Sequence, residues 1–170
     1  AVTAGVHTIE HGTMATDEVL EIMASHKTYL IPTLSLHDLF EAHSDQIPRF
    51  MVEKSRAMQE PYIEIVKKAV RMGVPVAMGT DAGTNYNYHG KNAAEIIYLV
   101  KKEIMSPLQA ITAATKTASE AIRMDHEIGT LEVGKLADFI VLNNNPLDDI
   151  QILSKTDEIE SVYKNGKVVS

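Results

Sequence analysis

Two short stretches pair a ligand-type side chain with glycine: Glu10-His11-Gly12 and Thr80-Asp81-Ala82-Gly83. A neutral imidazole and a carboxylate are ordinary ligands for a divalent ion such as zinc. An aspartate beside an ion-activated water is also placed to take that water's proton. Glycine directly after the ligand lets the backbone turn sharply and leaves room for a bound molecule. Each stretch has a plainer reading. A lone histidine at a strand end is commonly a hydrogen-bonded structural residue, and a Thr-Asp pair before a helix is as often a cap as a ligand. Their recurrence at the ends of two strands of one sheet is what points to an ion site.

The other histidines sort by context. His7-Thr8-Ile9-Glu10-His11 matches the H-x-x-E-H pattern of inverted zinc peptidases, which requires a helix so that both imidazoles reach one ion. β-branched Thr8 and Ile9, bracketed by Gly5 and Gly12, favour a strand instead. There the two imidazoles would stand about 13 Å apart and could not share a metal. His89, in Asn87-Tyr88-His89-Gly90, falls in the loop after a strand, where a substrate contact and a solvated histidine are equally good readings; Tyr86 and Tyr88 share that ambiguity. His26, His37, His43 and His126 have no partner pattern and read as surface or structural, and Met14, Met23, Met51, Met58, Met72 and Met78 read as packing residues.

The elements that must hold these groups follow from periodicity. Strands are expected over Val6–Glu10, Tyr29–Leu34 and Val74–Gly79, with Pro32 at or near the end of the second. Helices are expected after Thr16, with Val19, Leu20 and Met23 as the apolar face, and from Pro48 to Met72, where Pro61 marks a kink or a break. Further helices are expected over Asn92–Lys102 and from Ser106-Pro107-Leu108-Gln109 through Ile122, with Leu108, Ile111, Thr115, Ala118 and Ile122 facing inward. Residues 35–48 read as a polar loop. After Met124 the pattern changes to short strands with an Asn165-Gly166 hairpin signal. Alternating strands and helices imply a parallel sheet with helices outside, and functional side chains at the strand ends. The expected class is therefore α/β, with barrel-type units over residues 1–127 and a small β segment over 128–170.

Composition narrows the functions. The 170-residue chain carries a formal net charge of −7, 45% hydrophobic residues and no cysteine. The charge argues against phosphate-directed nucleic-acid binding, and no apolar run of about 18 residues suggests a membrane span. Without thiolates, a metal would be held by His, Asp or Glu. The opening Ala1-Val2-Thr3-Ala4-Gly5 looks like a helix end closed by glycine, which fits a fragment of a longer chain.

Four motifs in order resemble the amidohydrolase superfamily: Ala4 to Thr13, Gly79 to Gly83, Pro107 to Thr115, and Ile128 to Asp138 with Asn145-Pro146-Leu147. Within it the likeness is greatest to the imidazolonepropionase-like and Xaa-Pro dipeptidase-like group. The resemblance implies the last part of a (β/α)8 TIM-like barrel, strands six to eight, with part of a small β-sandwich. It implies His11 as a metal ligand ending the sixth strand, and Asp81, ending the eighth, as metal ligand and proton shuttle. It places His89 loosely near the substrate and makes Asp138 structural. The cofactor would be one or two divalent ions, zinc first among them. The substrate would be a small amide, cyclic amide or dipeptide.

The family's paired histidines on the first strand, its bridging lysine or glutamate on the fourth and its histidine on the fifth have no counterpart here. They would precede Ala1. The chain alone is therefore expected to be inactive. The competing expectation is a non-catalytic assembly fragment whose open sheet edge pairs with another copy or with a complementing N-terminal chain.

Overall fold

The computed structural model describes residues 1–170. A 3₁₀ turn at Val2–Ala4 is closed by Gly5 at φ 86° and leads into β1 (Thr8–Glu10). Helix α1 (Asp17–His26) starts on Thr16, whose hydroxyl accepts from the Val19 amide at 3.4 Å. Acidic Asp17 and Glu18 in its first turn complement the helix dipole. Strand β2 (Tyr29–Ile31) then lies parallel to β1, with Ile9 opposite Leu30. On the other side of β2 the chain near Val76 forms a parallel bridge. The Leu30 amide donates to the Pro75 carbonyl and the Ala77 amide to the Leu30 carbonyl, both at 2.9 Å. Three parallel segments thus run side by side with β2 in the middle, and residues 11, 33 and 81 follow their C-terminal ends.

These segments are shorter than the sequence predicts, and 74–79 makes only the single bridge. Where residues 35–48 read as a loop, a seven-residue helix α2 (Leu36–Ala42) forms. Its Leu36, Leu39 and Phe40 have helical spacing, but the run is too short for periodicity to separate it from a loop. Helix α3 (Arg49–Arg71) continues through Pro61 without a break. Losing one backbone donor there costs about 3 kcal/mol. The face that follows, Tyr62, Ile63, Val66 and Ala69, is buried in the core and offsets it.

Helix α4 (Ala93–Lys101) packs against α5 (Pro107–Ala114), which opens with the Ser106–Gln109 capping box. The expected long helix divides at Thr115, and α6 (Lys116–Ala121) follows. Its inward face also differs from expectation. Ala110, Ala113 and Ala121 are buried, while Leu108 and Ile122 are exposed. Val19 and Met14 also stand partly or largely in solvent, whereas Leu20 and Met23 are fully buried.

The tail is a three-stranded antiparallel sheet, β3 (Phe139–Leu142), β4 (Ile159–Lys164) and β5 (Lys167–Val168). Phe139 stacks on Tyr163 across β3 and β4 at 4.4 Å between ring centres. The predicted hairpin forms, with Asn165 at φ 51° and Gly166 at φ 73°. Asp138 ties the start of β3 to that turn, accepting from Lys164 Nζ and from the Asn165 amide. No helix is long and apolar enough to cross a membrane.

Candidate active site at the strand ends

His11 directly follows β1. The strand geometry at 8–10 excludes the helical H-x-x-E-H arrangement. His7 points elsewhere, with Nε2 3.4 Å from the Glu120 carbonyl and its ring tilted against Tyr29. His11 takes φ 63°, Thr33 φ 52° and Asp81 φ 51°, so all three segments leave the sheet through a left-handed residue. Histidine and aspartate visit this region more readily than most residues, but β-branched threonine does so rarely. The glycines beside them are required by contact. A Cβ on Gly12 would sit 2.7 Å from Leu30 Cδ1, and one on Gly79 would sit 2.5 Å from Ile31 Cγ2.

His11 Nδ1 lies 2.7 Å from Thr33 Oγ1. With Nδ1–H donating to that hydroxyl, the imidazole is held as the tautomer whose Nε2 carries a free lone pair, the arrangement that suits an ion-binding histidine. Tyr62 clamps the same corner from α3. Its hydroxyl is shared between the carbonyls of His11 and Pro32, the latter at 2.7 Å. Burial pushes the Tyr62 phenol well up, with the nearby Glu95 carboxyl adding to the effect, so it acts as a neutral donor.

Asp81 is exposed, and its carboxylate has no protein partner; its position is set by its backbone. Buried Asn87 donates from Nδ2 to the Thr80 carbonyl at 2.7 Å and the Asp81 carbonyl at 2.8 Å. His89 is exposed on the same loop, facing the open side of Gly83; a Cβ there would lie 3.6 Å from its Nε2. Tyr86 is stacked on His43 at 4.1 Å, and its hydroxyl donates to Gln46 Oε1 at 3.2 Å.

Between the strand ends and helices α2 and α3 lies a pocket of about 520 Å³, whose lining includes His11, Thr33, Phe40, Met51, Lys54 and Tyr62. A neighbouring cleft of about 520 Å³ reaches Asp81 and shares Leu36, Phe40 and Met51 with it. His37, expected to be structural, lines the first pocket with Nδ1 2.7 Å from Ser55 Oγ. Burial lowers its pKa, which favours the neutral imidazole. Nearby in sequence, Glu53 pairs with Arg49, and Glu41 pairs with Arg56, each at 2.7 Å.

The donor types fit a borderline divalent ion rather than a hard one that takes only oxygen: an imidazole with Nε2 unengaged and an uncommitted carboxylate at the same edge of the sheet. Within the chain no three His, Asp or Glu side chains come together as a metal site. Sequence reasoning missed Thr33, Tyr62 and Glu95. Thr33 and Tyr62 act through single oxygens that no pattern marks. Glu95 carried a usable signal, since Tyr98 and Leu99, three and four positions on, are both buried on its face of α4.

The Amidohydrolase family model matches residues 1–169. The chain belongs to the amidohydrolase family. It is 31% identical to ochratoxinase from Aspergillus niger over 170 residues, covering 99% of this chain and 35% of that protein. It is 33% identical to imidazolonepropionase from Brevibacillus brevis over 108 residues, 61% of this chain and 24% of that one. Among solved structures, a Xaa-Pro dipeptidase with methionine bound in its active site superposes with a TM-score of 0.85 at 33% identity, covering 99% of this chain and 41% of that chain. The chain thus spans about two fifths or less of the length of these relatives.

Proposed function

We propose that this chain supplies two ligands, His11 and Asp81, to a metal-dependent amidohydrolase that cleaves amide-type C–N bonds; its remaining strands and ligands would come from sequence outside these 170 residues. That assembly is the complete enzyme. The observation that carries this reading is the pairing of His11 Nδ1 with Thr33 Oγ1 at 2.7 Å, which leaves Nε2 open, at the same edge as an unpartnered Asp81 carboxylate. One or two divalent ions, zinc first among candidates, would acidify the attacking water and polarise the scissile carbonyl. His11 Nε2 would hold the ion. Asp81 would also ligate it, and its carboxylate would accept the proton of the attacking water and pass it to the leaving nitrogen.

The pocket beside His11 is walled by Phe40 and Met51 and suits an apolar group next to the scissile amide; Lys54 supplies a positive charge for a substrate carboxylate. His89 contacts the substrate from the Asp81 side. In this arrangement β1–β2 and the Val76 segment are the sixth to eighth barrel strands, and residues 128–170 belong to the sandwich.

A catalytic zinc needs about three protein ligands, so the 170-residue chain by itself hydrolyses nothing. Asp81→Asn in the complete enzyme is expected to cut kcat by about 10²–10⁴ with little change in substrate binding. Steady-state kinetics with zinc supplied checks this, and unchanged kcat would remove Asp81 from proton transfer. A second reading rests on β1, whose only strand partner is β2. Its free edge suits pairing with a second copy or a complementing chain. Light scattering of the chain alone, and mixed with a chain carrying the remaining strands, separates these outcomes.

A further inference from the structure

Helix α4 carries a carboxylate that the proposed chemistry does not use. Glu95 is completely buried, and both its oxygens are engaged by backbone rather than by a cation. Oε1 accepts from the Leu34 amide at 2.8 Å and Oε2 from the Ser35 amide at 2.7 Å. Burying a carboxylate without a counter-ion is costly, and successive amides turned toward one anion are among the few backbone arrangements that compensate. Desolvation pushes the Glu95 carboxyl up, while the Ser35 and Leu34 amides pull it back down.

The engaged amides belong to the two residues directly after Thr33, whose left-handed φ of 52° is unfavourable for a β-branched side chain. Something must hold that conformation. Tyr62 fixes the preceding carbonyl, that of Pro32, and Glu95 fixes the following amides, so Thr33 is gripped from both sides. Thr33 is itself nearly buried, and its hydroxyl meets His11 Nδ1.

We infer that Glu95 is a positioning residue which, through the Leu34 and Ser35 amides and the Thr33 hydroxyl, fixes the orientation and tautomer of His11. The inference rests on the reading of His11 as an ion ligand, but its test needs no ion. If Glu95 merely capped the start of α2, its loss would loosen Leu34 and Ser35 and leave the imidazole unchanged.

The experiment uses the 170-residue chain, isotope-labelled and metal-free, above the histidine titration range. Long-range ¹H–¹⁵N spectra read the His11 tautomer, and hydrogen exchange reads the Leu34 and Ser35 amides. In the wild type, Nδ1–H predominates, and scalar couplings across hydrogen bonds link the Glu95 carboxyl carbon to both amide nitrogens. Glu95→Gln speeds exchange at one or both amides and lowers the Nδ1–H to Nε2–H ratio of His11 about fivefold, roughly what one hydrogen bond contributes. Thr33→Val gives the same tautomer change with both amides still protected, and Thr33→Ser restores the wild-type ratio.

A folded Glu95→Gln protein with an unchanged His11 tautomer overturns the inference. If Glu95→Gln does not fold, the wild-type couplings and the Thr33 variants decide: absent couplings, or an unchanged tautomer in Thr33→Val, overturn it equally. Absence of metal-dependent turnover in the complete enzyme, with this linkage intact, would instead sink the proposed reaction alone.

Discussion

Left-handed backbone appears at both ends of this molecule, with different residues and different consequences. In the β4–β5 turn it falls on Asn165 and Gly166, the pair that adopts it at least cost, and it closes a hairpin. At the ends of the parallel segments it falls on His11, Thr33 and Asp81. There it closes no hairpin. It sets an imidazole, a buried hydroxyl and an exposed carboxylate at one edge of the sheet, and neighbouring groups hold it: Tyr62 and Glu95 around Thr33, and Asn87 beneath Asp81. At Thr33, where a β-branched residue holds this backbone, the contact of its hydroxyl with His11 rather than the turn itself accounts for the residue type.

Substitutions can break or sharpen that contrast. The largest effect is expected for Gly12→Ala, which places a methyl 2.7 Å from Leu30 Cδ1 at φ 69°. A loss of about 2–3 kcal/mol in urea unfolding is expected from overpacking and left-handed strain together. A loss below about 1 kcal/mol would show that the strand end adjusts freely. Asp81→Gly should act in the opposite direction, because the carboxylate has no partner to lose; a gain of about 0.5–1 kcal/mol is expected. Asn165→Gly in the hairpin should gain less, since asparagine already tolerates that region. Equal gains at the two sites would remove the distinction between them.

Asp138→Asn should have the smallest effect, present near neutral pH and vanishing in acid. Lys164 and the Asn165 amide hold the Asp138 carboxyl below its ordinary value. Its contribution is therefore present above the unfolded aspartate pKa of about 3.9 and lost as pH falls through the lower folded value. A wild type and Asp138→Asn protein that unfold in parallel from pH 5 to 2 would show that this tie contributes nothing.

The same contrast explains how much could be read from sequence. The hairpin was legible because Asn165-Gly166 has its meaning within two residues, and the α5 capping box was legible for the same reason. His11 and Asp81 stood out as ligand types followed by glycine. What surrounds them did not, because Thr33, Tyr62, Asn87 and Glu95 act across 22 to 61 positions or through backbone atoms that have no letter in the sequence. Helix α2 was missed for brevity, and the α5–α6 division because Thr115 fits a helical period yet adopts φ −121° and ψ −86°. Buried alanines could not be told from exposed ones by hydropathy alone.

The most direct test of the account is anomalous diffraction at the zinc edge on crystals of the complete enzyme. A zinc peak about 2.0–2.2 Å from both His11 Nε2 and an Asp81 carboxylate oxygen, with Nδ1 still on Thr33, is the predicted result. Zinc bound away from these strand ends, or ligated through His11 Nδ1, would contradict it.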